Sequence, residues 1–331
     1  MCIPNQNELL TSIAGLIGDY RQGEIAAPTP AHVLLWVNQF DEAVRPALLS
    51  EVFHVLQTTY FSRQKVREFL GAVAQNNGLV GDNPAEFWRN TGILDIQLRG
   101  QSQREMVRTF DEVLQAELGV AVQDCTPLAN RFVYLDDAVF SGGHVINDIK
   151  AWLPQAPAQS SVKVVTMALH SSSVLYVRSK VAEAAAALHK SVDIQFWRHI
   201  EIQNRRDMRN VSEVLWPCRL PEDPLIVAYR DMLTSEGYPP LLRTGGAMGN
   251  SRIFSSEESR DLIEQEFLRA GVRIRDNSPN LNQHQHPLGN TLLRTLGFGS
   301  LAVTFRNCPN NSPLALWASD PWYPLFPRKT N

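Results

Sequence analysis

One stretch of the chain concentrates residue types that can do chemistry together: Phe132-Val-Tyr-Leu-Asp136-Asp137-Ala138-Val139-Phe140-Ser141-Gly142-Gly143-His144. An apolar run delivers two adjacent carboxylates. A short loop of small residues follows, and a helical pattern begins at once. Backbone N–H groups at a helix N-terminus, unshielded by side chains at Gly142 and Gly143, form an anion cradle. The Ser141 hydroxyl can donate to the same anion. Phosphate is the natural guest, with Gly142 expected where the backbone comes closest to it. Asp136 and Asp137 stand where they can take sugar hydroxyls or the water ligands of Mg²⁺. A phosphate cradle beside a carboxylate pair suits a sugar phosphate.

The elements that must position this segment follow from periodicity. Val162–Leu169 and Val192–Trp197 are β-branched or apolar runs fit for strands, and 145–153 and 174–188 read as helices. Strand and helix alternate from residue 132 to 197, the pattern of a parallel α/β sheet with right-handed crossovers. Upstream, residues 1–120 read as a helical region. Thr29-Pro30 marks one start, Ser62 another, and Pro84 opens a short piece with Phe87 and Trp88. Ser102 and Glu105 have the spacing of a capping box, and Gly119 reads as the stop of that helix. Downstream, 216–250 is rich in Pro and Gly and reads as loop. Glu257–Ala270 reads as a charged helix ending at Gly271, 301–305 as a late strand, and 314–317 as another. The expected organisation is a helical region over 1–120 and an α/β domain over 121–331.

Composition narrows the class. The chain has 331 residues, 44% hydrophobic and 20% charged, enough for a sizeable core. Its 31 basic against 34 acidic side chains leave a formal charge of −3, which argues against coating nucleic acid through bulk charge. No apolar stretch is long enough to cross a membrane, and the N-terminus lacks the basic and apolar regions of a secretory signal, so a cytoplasmic location is expected. Cys2, Cys125, Cys218 and Cys308 are scattered, without a C-x-x-C pair, and fit reduced, half-buried thiols.

The 132–144 segment resembles the phosphoribosyl-pyrophosphate (PRPP) motif of type I phosphoribosyltransferases: an apolar strand, an acid pair, a spacer, then Thr-Gly-x-Thr. Ser141 stands for the first Thr, Gly142 matches, Gly143 is the variable position, and His144 replaces the last Thr. The resemblance implies that Asp136 and Asp137 hold the ribose and that Ala138 to His144 surround the 5′-phosphate. It implies Mg²⁺ as cofactor, reached indirectly by the acid pair. The segment Gly297–Trp317, with Asn307 and the Pro309-Asn310-Asn311 turn, is similar to a feature of the PRTase-CE family, phosphoribosyltransferase-like proteins of bacterial conflict systems that include retron-associated effectors. The helical region with Trp36, Phe40 and Gly100–Gln103 also looks like that family, so the likeness spans about residues 30–327. The implied fold is a type I phosphoribosyltransferase-like parallel sheet with flanking helices behind a helical N-terminal region.

The resemblance implies an effector of antiphage defence that binds PRPP or a nucleotide and acts at the ribose anomeric carbon, by transfer or by N-glycosidic cleavage. The alternative is a catalytically silent nucleotide sensor, or a partner-binding subunit of a complex with a reverse transcriptase and its RNA or DNA. No membrane partner is expected. Three other features stay open or recede. Asn310 and Asn311 are ordinary turn residues or carboxamides facing the ligand. Arg243, Gly245 and Gly246 form a flexible cationic loop that grips pyrophosphate or serves as lid or linker. His284 and His286 lack a third ligand and read as solvated loop, and Arg205, Arg206 and Arg209 as a solvated face.

Overall fold

A computed structural model describes residues 5–98, 100–278, 281–289 and 293–329. In chain order its elements are α1 (Gln6–Leu16), α2 (Pro30–Val37), α3 (Arg45–Thr59), β1 (Tyr60–Phe61), α4 (Arg63–Ala74), α5 (Asn77–Val80), α6 (Pro84–Arg89), β2 (Gly92–Leu94), α7 (Ser102–Leu118), β3 (Arg131–Val139), α8 (Gly143–Trp152), β4 (Gln159–His170), α9 (Ser171–Ala186), β5 (Ser191–Ile202), α10 (Pro224–Ser235), α11 (Glu257–Asn277), β6 (Val303–Thr304) and α12 (Leu314–Trp317). No helix among the described residues is long and apolar enough to cross a membrane.

The chain divides into two compact units, Arg63–Glu201 and Met1–Ser62 with Ile202–Asn331. The break expected near residue 120 does not coincide with this division. Helix α7 packs on β3, and α4 packs on α7, so these two helices share the unit of the sheet, while α1, α2 and α3 fall in the other.

In the Arg63–Glu201 unit the sheet order is β2-β3-β4-β5, with β2, β3 and β4 parallel. Phe132, Tyr134, Val162, Val164, Val192 and Ile194 face one core with Val145, Ile146, Ile149 and Trp152 of α8 and Val177, Val181 and Ala185 of α9. Val133, Leu135, Val165 and Met167 alternate to the opposite face and are equally buried. Burial on both faces is why β3 and β4 read as continuous apolar runs instead of alternating ones.

The regular elements of the second unit are mostly helices, with β1 and β6 pairing as a short parallel ladder, Tyr60 opposite Val303. Thr29 caps α2 as expected, its Oγ1 accepting the His32 N–H at 3.2 Å. Three local expectations fail here. The 216–250 stretch contains α10, started by Asp223, whose carboxylate accepts the Leu225 N–H, and by Pro224 at the first position. Helix α11 runs past Gly271 to Asn277. That glycine is an approach point: a Cβ there would lie 2.6 Å from the Pro287 carbonyl oxygen. The 314–317 run is a helical turn, with the Ala318 N–H bonded to Leu314 O at 2.8 Å. All four of its side chains are buried, and a wholly buried apolar run carries no period to separate strand from helix.

In the sheet unit Gly119 ends α7 in the left-handed region at φ 61°. The capping box does not form. Ser102 is already the first helical residue, and its Oγ accepts from Gln97 Nε2 at 2.9 Å. Gln97 Oε1 takes the Gln103 N–H, while Gln103 Oε1 takes the N–H groups of Ile96 and Gln97. Two glutamines thus do the local work expected of a serine and a glutamate.

Candidate functional site

β3 carries the acid pair further than expected. The strand does not stop at the carboxylates but runs on to Val139, with Asp136 opposite Thr166 and Val139 opposite Leu169. On its other side the ladder with β2 ends at Tyr134. The β2 edge of the sheet is therefore notched beside Asp136 and Asp137, at the carboxyl ends of parallel strands where α/β sheets commonly take ligands. Asp136 is 2% exposed and its Oδ1 accepts the Asp137 N–H at 2.9 Å; Asp137 is half-buried.

The loop is shorter than the sequence suggested: Phe140, Ser141 and Gly142 only. Ala138 and Val139 pair with β4, and the Val139 side chain joins the core. The half-buried Phe140 ring lies edge-on to His170 at 4.9 Å between centroids. Burial pulls the His170 imidazole down to about 3, so it is neutral near pH 7. Helix α8 begins at Gly143 as expected, and Ile146 N–H bonds Gly142 O at 3.0 Å. The Gly143 N–H donates to Ser141 Oγ at 3.3 Å, which leaves that hydroxyl's proton to donate outward. The N–H groups of His144 and Val145 have no protein acceptor among the described residues. Ser141 and the His144 side chain are exposed. The donors left open thus run from Ser141 to Val145, at the positive end of the α8 dipole.

Gly142 is bare for a different reason from the one expected. Its φ is 75°, and a Cβ there would fall 2.3 Å from Val177 Cγ2 on α9. It lets α8 and α9 approach. Its neighbour Gly143 has room for a methyl group, which would meet nothing closer than Ser141 Oγ at 3.5 Å.

A second layer, missed from sequence, braces this edge. Asp148 on α8 is 2% exposed, takes the Tyr134 hydroxyl at 2.7 Å and the Leu98 N–H at 3.0 Å. It ties strand, helix and the loop after β2 together. The signal was present as a lone acid at an apolar helix position, three residues after Val145.

The chain belongs to the PRTase-CE family. The family profile matches residues 33–328, nearly the whole chain and both compact units. No curated protein and no solved structure gives a match. The parallel sheet with flanking helices fits the phosphoribosyltransferase-like architecture that the family name denotes.

The other expected site residues of this PRTase-CE chain lie in the second unit. Arg243 is buried, its guanidinium bonded to Glu257 at 2.5 Å, to Glu264 at 3.1 Å and to Trp216 O at 2.7 Å. Gly245 lies beside Cys218 and Glu257, and the Gly246 N–H points to Glu257 Oε1 at 3.2 Å. Asn307 exchanges bonds with the Lys329 backbone. Asn311 Oδ1 accepts from Ser300 N and Oγ, at 3.0 and 3.1 Å, and Asn310 is exposed. Arg243, Asn307 and Asn311 thus spend these contacts on internal structure. Cys125 and Cys308 are free thiols pushed up by burial to about 11 and about 12, so neither offers a thiolate near neutral pH. Cys2 lies outside the described residues.

Among the described residues no group of three or more His, Cys, Asp or Glu side chains is arranged to hold a metal. Asp136 and Asp137 do not make a closed metal cage. They fit Mg²⁺ that arrives with phosphate oxygens and keeps its waters, since that ion is commonly held by one or two carboxylates.

Proposed function

We propose that this chain binds PRPP or a related ribose-5-phosphate nucleotide together with Mg²⁺ and acts at the ribose anomeric carbon, by phosphoribosyl transfer or N-glycosidic cleavage. The observation that carries the reading is the direct succession of an acid pair at the notched end of β3 and open N–H groups at the start of α8. Two carboxylates beside an anion cradle repel a bare phosphate. The conflict disappears when sugar hydroxyls donate to the carboxylates and the phosphate extends to the helix.

In this reading Asp136 and Asp137 accept from the ribose hydroxyls, and the Asp137 N–H keeps the Asp136 carboxylate oriented. Ser141 and the N–H groups of His144 and Val145 hold the 5′-phosphate. His144 replaces a hydroxyl donor with an imidazole. Mg²⁺ would neutralise the leaving diphosphate. The two carboxylates then stabilise positive charge developing at the anomeric carbon. The setting we propose is antiphage defence, with a reverse transcriptase and its RNA or DNA as partners that hold the activity in check.

Isothermal titration of the full chain with PRPP, with and without Mg²⁺, tests this. Mg²⁺-dependent binding that collapses in Asp136→Asn/Asp137→Asn is expected. Unchanged affinity in that variant rejects the sugar-phosphate site. Binding without any turnover selects the sensor reading instead.

A further inference from the structure

Helix α2 is apolar on every side. Among its side chains, Pro30–Val37, only His32 and the Trp36 indole carry polar atoms, and both are spent inward. His32 Nδ1 lies 2.9 Å from the Tyr323 hydroxyl and Nε2 lies 2.8 Å from the Leu325 carbonyl oxygen, while Trp36 Nε1 donates to Ala315 O at 2.8 Å. Val33, Trp36 and Val37 are fully buried. The outer side is just as apolar: Leu34 is 36% and Leu35 54% exposed, with Ala31 exposed beside them. A helix that is hydrophobic all round belongs inside a core, so an outer face of this kind calls for a cover.

The patch runs past the helix. Gln39 Nε2 donates to Tyr323 O at 2.8 Å, and the Tyr323 N–H donates to Gln39 Oε1 at 2.8 Å. At 3.6 residues per turn, Leu35 lies about 60° around the helix from His32 and about 40° from Gln39, on the same side. Tyr323 is 38% exposed and held on those two residues, so it flanks Leu35. Ala26 and Ala27 are exposed ahead of the helix, and Pro321 ahead of the tyrosine.

Charge and residue order say what covers this face. No Lys, Arg, Asp or Glu occurs from Ile25 to Phe40, in a chain that is 20% charged. The exposed apolar residues of α10 are placed differently. Leu225, Val227 and Met232 stand among the Arg230–Asp231 pair and the Asp223 cap, as on a solvated helix. A two-fold contact sets a patch against its own copy, so a charge near the axis meets a like charge. The α2 face is free of that penalty. Its order is also nearly the same in both directions. Ala31, Leu34, Leu35 and Asn38 form the exposed stripe, at i, i+3, i+4 and i+7. Two such helices crossing antiparallel, with the axis between positions 34 and 35, set Leu34 of one copy against Leu35 of the other. Ala31 then meets Asn38, a small side chain opposite a larger one.

We propose that α2, with the flanking Ala26–Ala27 and Pro321–Tyr323 segments, joins two copies of this chain in an antiparallel contact about a two-fold axis. The helix alone spans only about 12 Å. A stable dimer buries about 800 Å² on each copy, so the flanking segments are part of the contact.

Sedimentation equilibrium of the full chain tests this. Wild type is expected at twice the chain mass of 37.2 kDa. Leu35→Glu and Leu34→Arg each put a charge beside the axis and should weaken the dimer roughly tenfold or more. Both side chains are exposed in the single chain, so the circular dichroism spectra should match wild type. Mixing the two variants should restore dimers, because the new cation of one chain then faces the new anion of the other. General apolar stickiness is not rescued in that way. A wild-type monomer at every concentration, a dimer indifferent to both substitutions, or variants that stay monomeric when mixed overturns the proposal. A monomer that floats with phosphatidylcholine vesicles, and is released from them by Leu35→Glu, assigns the face to lipid and overturns it too.

Discussion

The Tyr134 hydroxyl donates to Asp148 Oδ2 at 2.7 Å, joining the middle of β3 to the second turn of α8 across the core. The same carboxylate takes the Leu98 N–H, so one buried acid fixes the strand that bears the acid pair, the helix that starts with the open N–H groups and the loop beside the notch. Burial and the neighbouring acids hold the Tyr134 phenol far above its ordinary range, so it stays a donor.

Removing one partner should expose this coupling. Tyr134→Phe strands an oxygen of Asp148 and is expected to cost about 1–3 kcal/mol. Asp148→Ala leaves both the Tyr134 hydroxyl and the Leu98 N–H unsatisfied and should cost more. Denaturant unfolding of both single variants and the double variant measures the interaction. Additive losses would mean that the two residues act separately.

Gly142 and Gly143 should part company on substitution. Gly142→Ala places a Cβ 2.3 Å from Val177 Cγ2 in a left-handed conformation, and overpacking of that kind costs about 1–3 kcal/mol before the backbone penalty is added. Gly142→Val should be worse, and loss of function there would report misfolding. Gly143→Ala meets only ordinary contact and should melt like wild type while weakening PRPP. Thermal unfolding paired with titration distinguishes the two, and equal melting temperatures for the Gly142 and Gly143 variants would refute the packing account.

Acid should destabilise the chain in a defined window. Unfolded histidine takes up a proton below about pH 6.5, but folded His170 resists until about 3 and His286 until about 4. Between these values the unfolded state holds more protons, so stability is lost as pH falls from about 6.5 and levels off below the folded values. Each group contributes a slope of at most about 1.4 kcal/mol per pH unit. His170→Phe should flatten the acid limb of a plot of unfolding free energy against pH; an unaltered limb would show that His170 titrates normally.

A cellular prediction rests on the proposed activity. Expression of the chain without partners should slow bacterial growth, and Asp136→Asn/Asp137→Asn should restore it at equal protein level. Growth curves with immunoblots check this. Equal toxicity of the two would assign the effect to something other than the acid-pair site.

What the sequence determined by itself is local. The apolar run into Asp136 and Asp137, the helix start at Gly143, the Thr29 cap and the Gly119 stop all rest on residues within a few positions of one another, so their physics is complete in a short window. The succession of strands and helices from 131 to 202 was legible for the same reason, because β3 and β4, buried on both faces, need long apolar runs. Tertiary structure decided whatever depends on a distant partner. Gly142 owes its missing side chain to Val177, Gly271 to Pro287, and Arg243 its burial to Glu257 and Glu264. Those partners lie 14 to 35 positions away, beyond any period or capping signal. The same distance hid the role of Asp148 and the partition of the chain, since both follow from which surfaces meet and not from what any one segment prefers.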